Sequence, residues 1–198
     1  MAAPNIPAGS GREFALTIAD GVEDHFLDLM RAFALEGLPF SDEYGGLDFT
    51  GRNVLPIVNV EVVHGADFLA CRKVSKVNGF SGLYNNIAGH VQGDGTEHSV
   101  VETILEELLS ESSIIPGAGD TLFVGHPFVF HTRDGRTLHC APARLILGGD
   151  EQPPIVLNEE HDHHCWVPWS QYQRMQRVPL VDEIHRKIEA FLGPTRSL

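Results

Sequence analysis

Apolar positions change their spacing several times along the chain, and each change marks an element. Val22, Phe26, Leu29, Met30, Phe33 and Leu35 recur at helical spacing and stop at Gly37. That pattern predicts an amphipathic helix of about four turns, closed by a glycine. Residues 54–63 instead alternate, and Ile57, Val58, Val60, Val62 and Val63 supply the β-branched side chains of a half-buried strand. His64-Gly65-Ala66-Asp67 reads as a turn and 68–74 as a returning strand, so the two make a hairpin. Residues 121–131 and 136–147 are apolar-rich strands bridged by Thr132-Arg133-Asp134-Gly135, where Asp-Gly is a strong hairpin signal. Near the end, Ile184, Ile188, Phe191 and Leu192 give a final amphipathic helix over 181–192, before Gly193-Pro194.

Between the two hairpins lies the stretch around which the rest is organised, residues 82–115, GLYNNIAGHVQGDGTEHSVVETILEELLSESSII. A glycine-punctuated loop leads into a helix whose stripe is Val100, Val101, Ile104, Leu105, Leu108 and Leu109, with Glu102, Glu106, Glu107 and Glu111 among them. Glu107 and Glu111 are four residues apart, so they stand one turn apart on one ridge. Such a pair can share a hard cation: Mg²⁺ and Mn²⁺ take oxygen ligands and leave positions for water and phosphate oxygens. The same acidic face is also what a merely solvated helix presents.

The stretch resembles the Nudix box, G-x5-E-x7-R-E-U-x-E-E-x-G-U with U apolar. Glu107 matches the glutamate after the box arginine, Glu111 the second of the later pair, Leu108 and Ile114 the apolar positions, and Gly89 the motif glycine. The chain departs from the pattern at five places. Glu106 stands at the arginine, Ser110 at the first of the glutamate pair, Ser113 at the helix-ending glycine, and the run from Gly89 to Glu106 is three residues longer. His98 occupies the place of the loop glutamate, with Glu97 beside it. A second match follows in the right order: Glu159-Glu160-His161, then Cys165-Trp166-Val167, is similar to the tail in which a Glu-His pair precedes a strand ending in Trp-Val. His161, Asp162, His163 and His164 do not have the spacing of a zinc site.

Composition narrows the partners. A formal net charge of −13, with 14 Lys and Arg, opposes binding to a nucleic acid polymer or an anionic membrane. A single metal-bridged nucleotide is compatible with that charge. Cys71, Cys140 and Cys165 form no C-x-x-C pair and read as reduced, small side chains. No run approaches the length that spans a bilayer, and the first residues lack a basic start followed by an apolar core, so the expected setting is cytoplasmic.

The elements assemble as α/β, and the resemblance implies a Nudix-like α/β/α sandwich with a mixed β-sheet over 52–198, preceded by an extension, 1–51, that carries the extra N-terminal helix. Residues 1–12, rich in Pro, Gly and Ala, are expected to drape over the surface. The apolar face of the helix would cover the core or join a second copy in a homodimer. The implied function is divalent-metal-dependent hydrolysis of a nucleoside diphosphate linked to another moiety, or a related pyrophosphate. Glu107 and Glu111 would hold Mg²⁺ or Mn²⁺, with Glu106 a further ligand. Glu160 would be a third carboxylate or general base. Gly89, His90 and Arg72 are the expected contacts to a small nucleotide-type substrate. The alternative is a catalytically silent Nudix-like module that binds a nucleotide or a protein.

Overall fold

A computed structural model describes residues 14–41, 46–74, 80–91 and 97–193; the expectation for residues 1–12 lies outside them. In chain order the elements are β1 (Ala15–Ile18), α1 (Val22–Leu35), β2 (Phe40–Ser41), β3 (Gly46–Leu47), β4 (Val54–His64), β5 (Asp67–Lys73), β6 (Tyr84–Asn85) and β7 (Ile87–His90). They continue as α2 (Glu97–Ser112), β8 (Thr121–Val124), β9 (Phe128–His131), β10 (Thr137–Leu147), β11 (His161–Pro168), α3 (Trp169–Tyr172) and α4 (Leu180–Leu192).

Among the described residues nine strands form one mixed sheet in the order β1-β8-β10-β4-β5-β11, with β7 also on β4, β6 on β5 and β9 on β10. Its spine is β4 and β10, parallel from Thr137 beside Val54 to Leu147 beside His64. A parallel pair with helices over both faces is covered on both sides, and β4 is buried from Leu55 to Val63, its polar residues Asn59 and Glu61 included. The helical stripe of α1 lowers Val22, Phe26, Met30 and Phe33 into the same core as β4 and β10. Just before α1, β1 runs parallel to β8, from Ala15 beside Thr121 to Ile18 beside Val124.

The feature that positions the site is a split in the sheet. The hairpin expected at residues 54–74 forms, but β5 stays paired with β4 only at Val63–Phe68 and His64–Asp67. Beyond that point β5 turns to β11 and β6, and β7 takes its place against β4, from Ile57 opposite His90 to Val60 opposite Ile87. The glycine-rich approach to α2, expected as a loop, is therefore partly a strand. Its small residues Ala88 and Gly89 let α2 lie close above it.

On the opposite face α4 is fastened by a buried ionic network. Arg144 of β10 donates from Nε and Nη2 to Glu61 Oε2 of β4 at 2.9 and 2.6 Å, and from Nη1 to Glu189 of α4 at 2.5 Å. His185 Nδ1 lies 3.0 Å from Glu61 Oε1, and its ring stacks on Trp169 at 3.5 Å. With α2 on one face and α4 on the other, the layers are helix, sheet, helix.

Candidate active site

Two residues of α2 come down onto two consecutive residues of β7. Glu107 extends over Gly89, so that a Cβ at Gly89 would fall inside the glutamate side chain. One turn later Glu111 reaches the strand backbone and accepts a hydrogen bond from the Ala88 N–H at 3.1 Å. The apolar residues between them explain why both carboxylates point inward. Val100, Ile104 and Leu108 are fully buried, and positions 107 and 111 flank that stripe on the side nearest the split. Glu111 is 1 % exposed, and Glu107 is half-buried.

A cation reaches the pair from the next strand. Lys73, at the end of β5, donates from Nζ to Glu160 Oε2 at 3.2 Å and stands 4.0 Å from Glu111 Oε1. Glu160 immediately precedes β11, and its carbonyl accepts from the Val74 N–H at 2.8 Å. An Asn158 side-chain oxygen accepts from the Glu160 N–H at 3.0 Å and so shapes the turn that presents it.

The cluster holds more negative than positive charge, and the carboxylates register it. Burial, then the Glu160 and Glu106 charges, push Glu107 up to about 7 against the relief given by Lys73. Burial, then Glu107 and Glu160, push Glu111 up to about 8, although Lys73 and the Ala88 N–H both favour its ionised form. His161, the cross-strand partner of Lys73, is buried with its Nε2 unpaired among the described residues. Burial, with Lys73 beside it, holds that imidazole down at about 4, so it is neutral.

The other expected site residues lie around this centre. Glu106 sits on the outer side of α2, its pKa raised by partial burial and by Glu102. His90, at the exposed end of β7, stacks against Phe49 with ring centres 6.1 Å apart. The mass of protein on its inner side, with Lys73 and Arg136, lowers its pKa. Arg72 is engaged elsewhere: its Nε donates to Asp162 Oδ1 at 2.7 Å. Successive strand residues face opposite ways, so the side chain that meets the acids is Lys73 and not the expected Arg72. Ser110 is exposed on α2, and the side chains of residues 97 and 98 lie outside the described residues.

The donor set suits a hard divalent ion. Mg²⁺ and Mn²⁺ are commonly held by one or two carboxylates, with phosphate and water oxygens completing the octahedron, and Glu107 and Glu111 supply such a pair. Among the described residues no group of three or more His, Cys, Asp or Glu is placed to hold a metal ion. The residues thus fit an ion shared with a substrate rather than a sealed structural one.

No protein-family model matches the chain, and no curated protein sequence does. Solved structures match it well. The NUDIX domain of Shewanella oneidensis NrtR, complexed with ADP ribose, aligns at TM-score 0.56 and 12% identity over 82% of this chain and 98% of that one. A MutT protein from Methanosarcina mazei Go1 aligns at TM-score 0.54 and 18% identity over 71% of this chain and 96% of that one. A bifunctional NMN adenylyltransferase/ADP ribose pyrophosphatase from Francisella tularensis, complexed with AMP and a Mn ion, aligns at TM-score 0.54 and 14% identity over 86% of this chain and 48% of that one. Identities this low speak for architecture alone, and the architecture they share with this chain, with its split mixed sheet between helices, is the Nudix fold.

Proposed function

We propose that the protein hydrolyses a nucleoside diphosphate linked to another moiety, or a related pyrophosphate, with Mg²⁺ or Mn²⁺ at Glu107 and Glu111. The observation that carries this reading is the seating of both glutamates on the backbone of β7, at the point where the sheet splits. Two structures of the same fold were solved with small nucleotide-derived ligands, ADP ribose in one and AMP with Mn in the other, which supports a ligand of that size and chemistry. A divalent ion bound here would neutralise pyrophosphate charge and acidify a bound water.

The chain's own residues have distinct tasks in this account. Gly89 keeps the strand surface bare where Glu107 must lie. The Ala88 N–H fixes the orientation of Glu111. Glu107, which burial and the neighbouring carboxylates push up to about 7 in the metal-free protein, would be held in its ionised form by a divalent ion at this pair. Glu160 faces the same centre but is occupied with Lys73, so its first task is to hold that cation. His90 lies at the exposed end of β7, where a nucleotide could meet it, whereas Arg72 is turned to Asp162.

The test is release of phosphate or of a nucleoside monophosphate from a panel of ADP-ribose, NAD, dinucleoside polyphosphates and NTPs, with Mg²⁺ or Mn²⁺. Activity should fall by at least about 10³-fold in both Glu107→Gln and Glu111→Gln. Turnover unchanged in both variants would refute the mechanism. A second reading, a silent nucleotide-binding module, is favoured by one observation: Glu106 stands exposed on α2 at the box arginine position and brings a further negative charge instead of a positive one. Tight ADP-ribose or nucleotide binding without turnover on any substrate would select it.

A further inference from the structure

Lys73 sits where charge matters most. Three carboxylates, Glu107, Glu111 and Glu160, face this centre, and Lys73 is the ammonium that the described residues bring to it. Its contacts are unequal. Nζ donates directly to Glu160 at 3.2 Å but stands 4.0 Å from Glu111, a distance at which attraction persists without a hydrogen bond. The Lys73 side chain is only 18% exposed, whereas Glu160 is 51% exposed, so the ammonium is anchored at the centre and its preferred partner is at the rim. A cation at 4.0 Å in a setting of intermediate dielectric interacts with a carboxylate by several kcal/mol before screening, comparable to what a competing ion must overcome.

Resting on the metal site proposed above, we infer that Lys73, hydrogen-bonded to Glu160 and 4.0 Å from Glu111, is a built-in counter-ion of Glu111, one that competes with the divalent ion for that carboxylate and withdraws further toward Glu160 when the ion binds. Without the ion, Lys73 offsets part of the cluster's negative charge beside the buried Glu111. With the ion bound, two cations cannot share Glu111 without repulsion, and the flexible lysine can yield while Glu111, tied to the Ala88 N–H, stays. Glu160 is then a latch for the displaced ammonium rather than a ligand. Lys73 is a positioning residue that sets the threshold concentration of metal.

The experiment reads metal binding rather than turnover: Mn²⁺ titrations followed by electron paramagnetic resonance on wild type, Lys73→Met, Lys73→Gln, Glu160→Gln, Lys73→Met/Glu160→Gln, Glu107→Gln and Glu111→Gln. Lys73→Met and Lys73→Gln should bind Mn²⁺ about tenfold more tightly at low salt, with the gain shrinking as ionic strength rises. Glu160→Gln should weaken Mn²⁺ severalfold in wild type, because the ammonium then has only Glu111, and should have almost no effect in the Lys73→Met background. In wild type, Mg²⁺ should shift the Lys73 ¹⁵Nζ resonance. Unchanged or weaker Mn²⁺ binding in both lysine variants, or an Nζ signal indifferent to Mg²⁺, overturns the inference. So does an undiminished effect of Glu160→Gln without Lys73, which would make Glu160 a ligand. If Glu107→Gln and Glu111→Gln bind as wild type does, or no protein in the set binds Mn²⁺, the underlying site falls and Lys73's part with it. If those two lose Mn²⁺ and only the lysine variants fail to gain, the site stands and the counter-ion does not.

Discussion

Glu107 lies across Gly89, its carboxyl group filling the space that any side chain at Gly89 would need. This one contact ties the helix carrying the acids to the strand beneath, and it separates two properties that substitutions often confound. The obstructing atoms belong to the far end of a flexible side chain, and Gly89 has ordinary strand geometry. Gly89→Ala should therefore cost little stability, less than about 1 kcal/mol, because Glu107 can swing aside. The swing removes one of two metal-facing carboxylates. Mn²⁺ affinity should drop by at least about tenfold while the melting temperature moves by only a few degrees. A calorimetric scan beside a metal titration checks both.

The raised carboxylates make the metal-free protein pH-sensitive in a definite direction. Glu107 and Glu111 titrate at about 7 and about 8, above their ordinary value, so the folded chain binds protons more tightly than the unfolded one. On their account stability is greatest below the unfolded carboxylate range and is lost as pH rises through 4.5 toward about 8. Glu111→Gln removes that penalty and keeps an acceptor for the Ala88 N–H. In EDTA it should match wild type near pH 4 and exceed it near pH 8 by on the order of 2–4 kcal/mol, as read by urea unfolding across pH. The same substitution should abolish hydrolysis.

At the end of α2, Ser113 holds a left-handed backbone with φ 59°, at the box position of the helix-ending glycine. The Ser113 N–H donates to Leu109 O at 2.9 Å and the Ile114 N–H to Leu108 O at 3.1 Å, closing the helix as a glycine would. A side chain strains that geometry, and the Ser113 hydroxyl recovers part of the cost by donating to Val156 O at 3.3 Å. Ser113→Gly should stabilise by about 0.5–1 kcal/mol with Mn²⁺ affinity unchanged. Thermal unfolding with and without Mn²⁺ would show it.

The network on the opposite face predicts a large loss. Glu61 and Arg144 are both nearly inaccessible, and Arg144 also grips Glu189. Arg144→Met leaves Glu61 buried opposite His185 alone and should destabilise by about 3–5 kcal/mol, whereas replacing both residues with apolar ones should restore much of it. Denaturant midpoints of the single and double variants decide between these outcomes.

Periodicity made much of the scaffold legible. The helix α1, the strand β4, the Asp-Gly turn before β10 and the apolar ridge of α2 stand where their spacing placed them, but β4 is buried on both faces rather than half-buried, Leu35 is exposed at the end of α1, and the strand expected over 121–131 is two, β8 and β9. The strand β7 was not legible, because Ile-Ala-Gly-His carries no alternation and its pairing comes from β4 being abandoned by β5. Glu107 and Glu111 could be named from their four-residue spacing; that they rest on Gly89 and Ala88 required the split sheet.

Local order along the chain, then, determined the longer helices and strands and which acids share a ridge, since those depend on spacings of two and of about 3.6 residues. Tertiary structure alone decided which cation meets those acids. Arg72 and Lys73 are adjacent and equally charged, but the register of β5 against β11 turns one toward Asp162 and the other toward Glu111 and Glu160. Alternation guarantees that one of the two faces the site, and only the pairing of distant strands selects which.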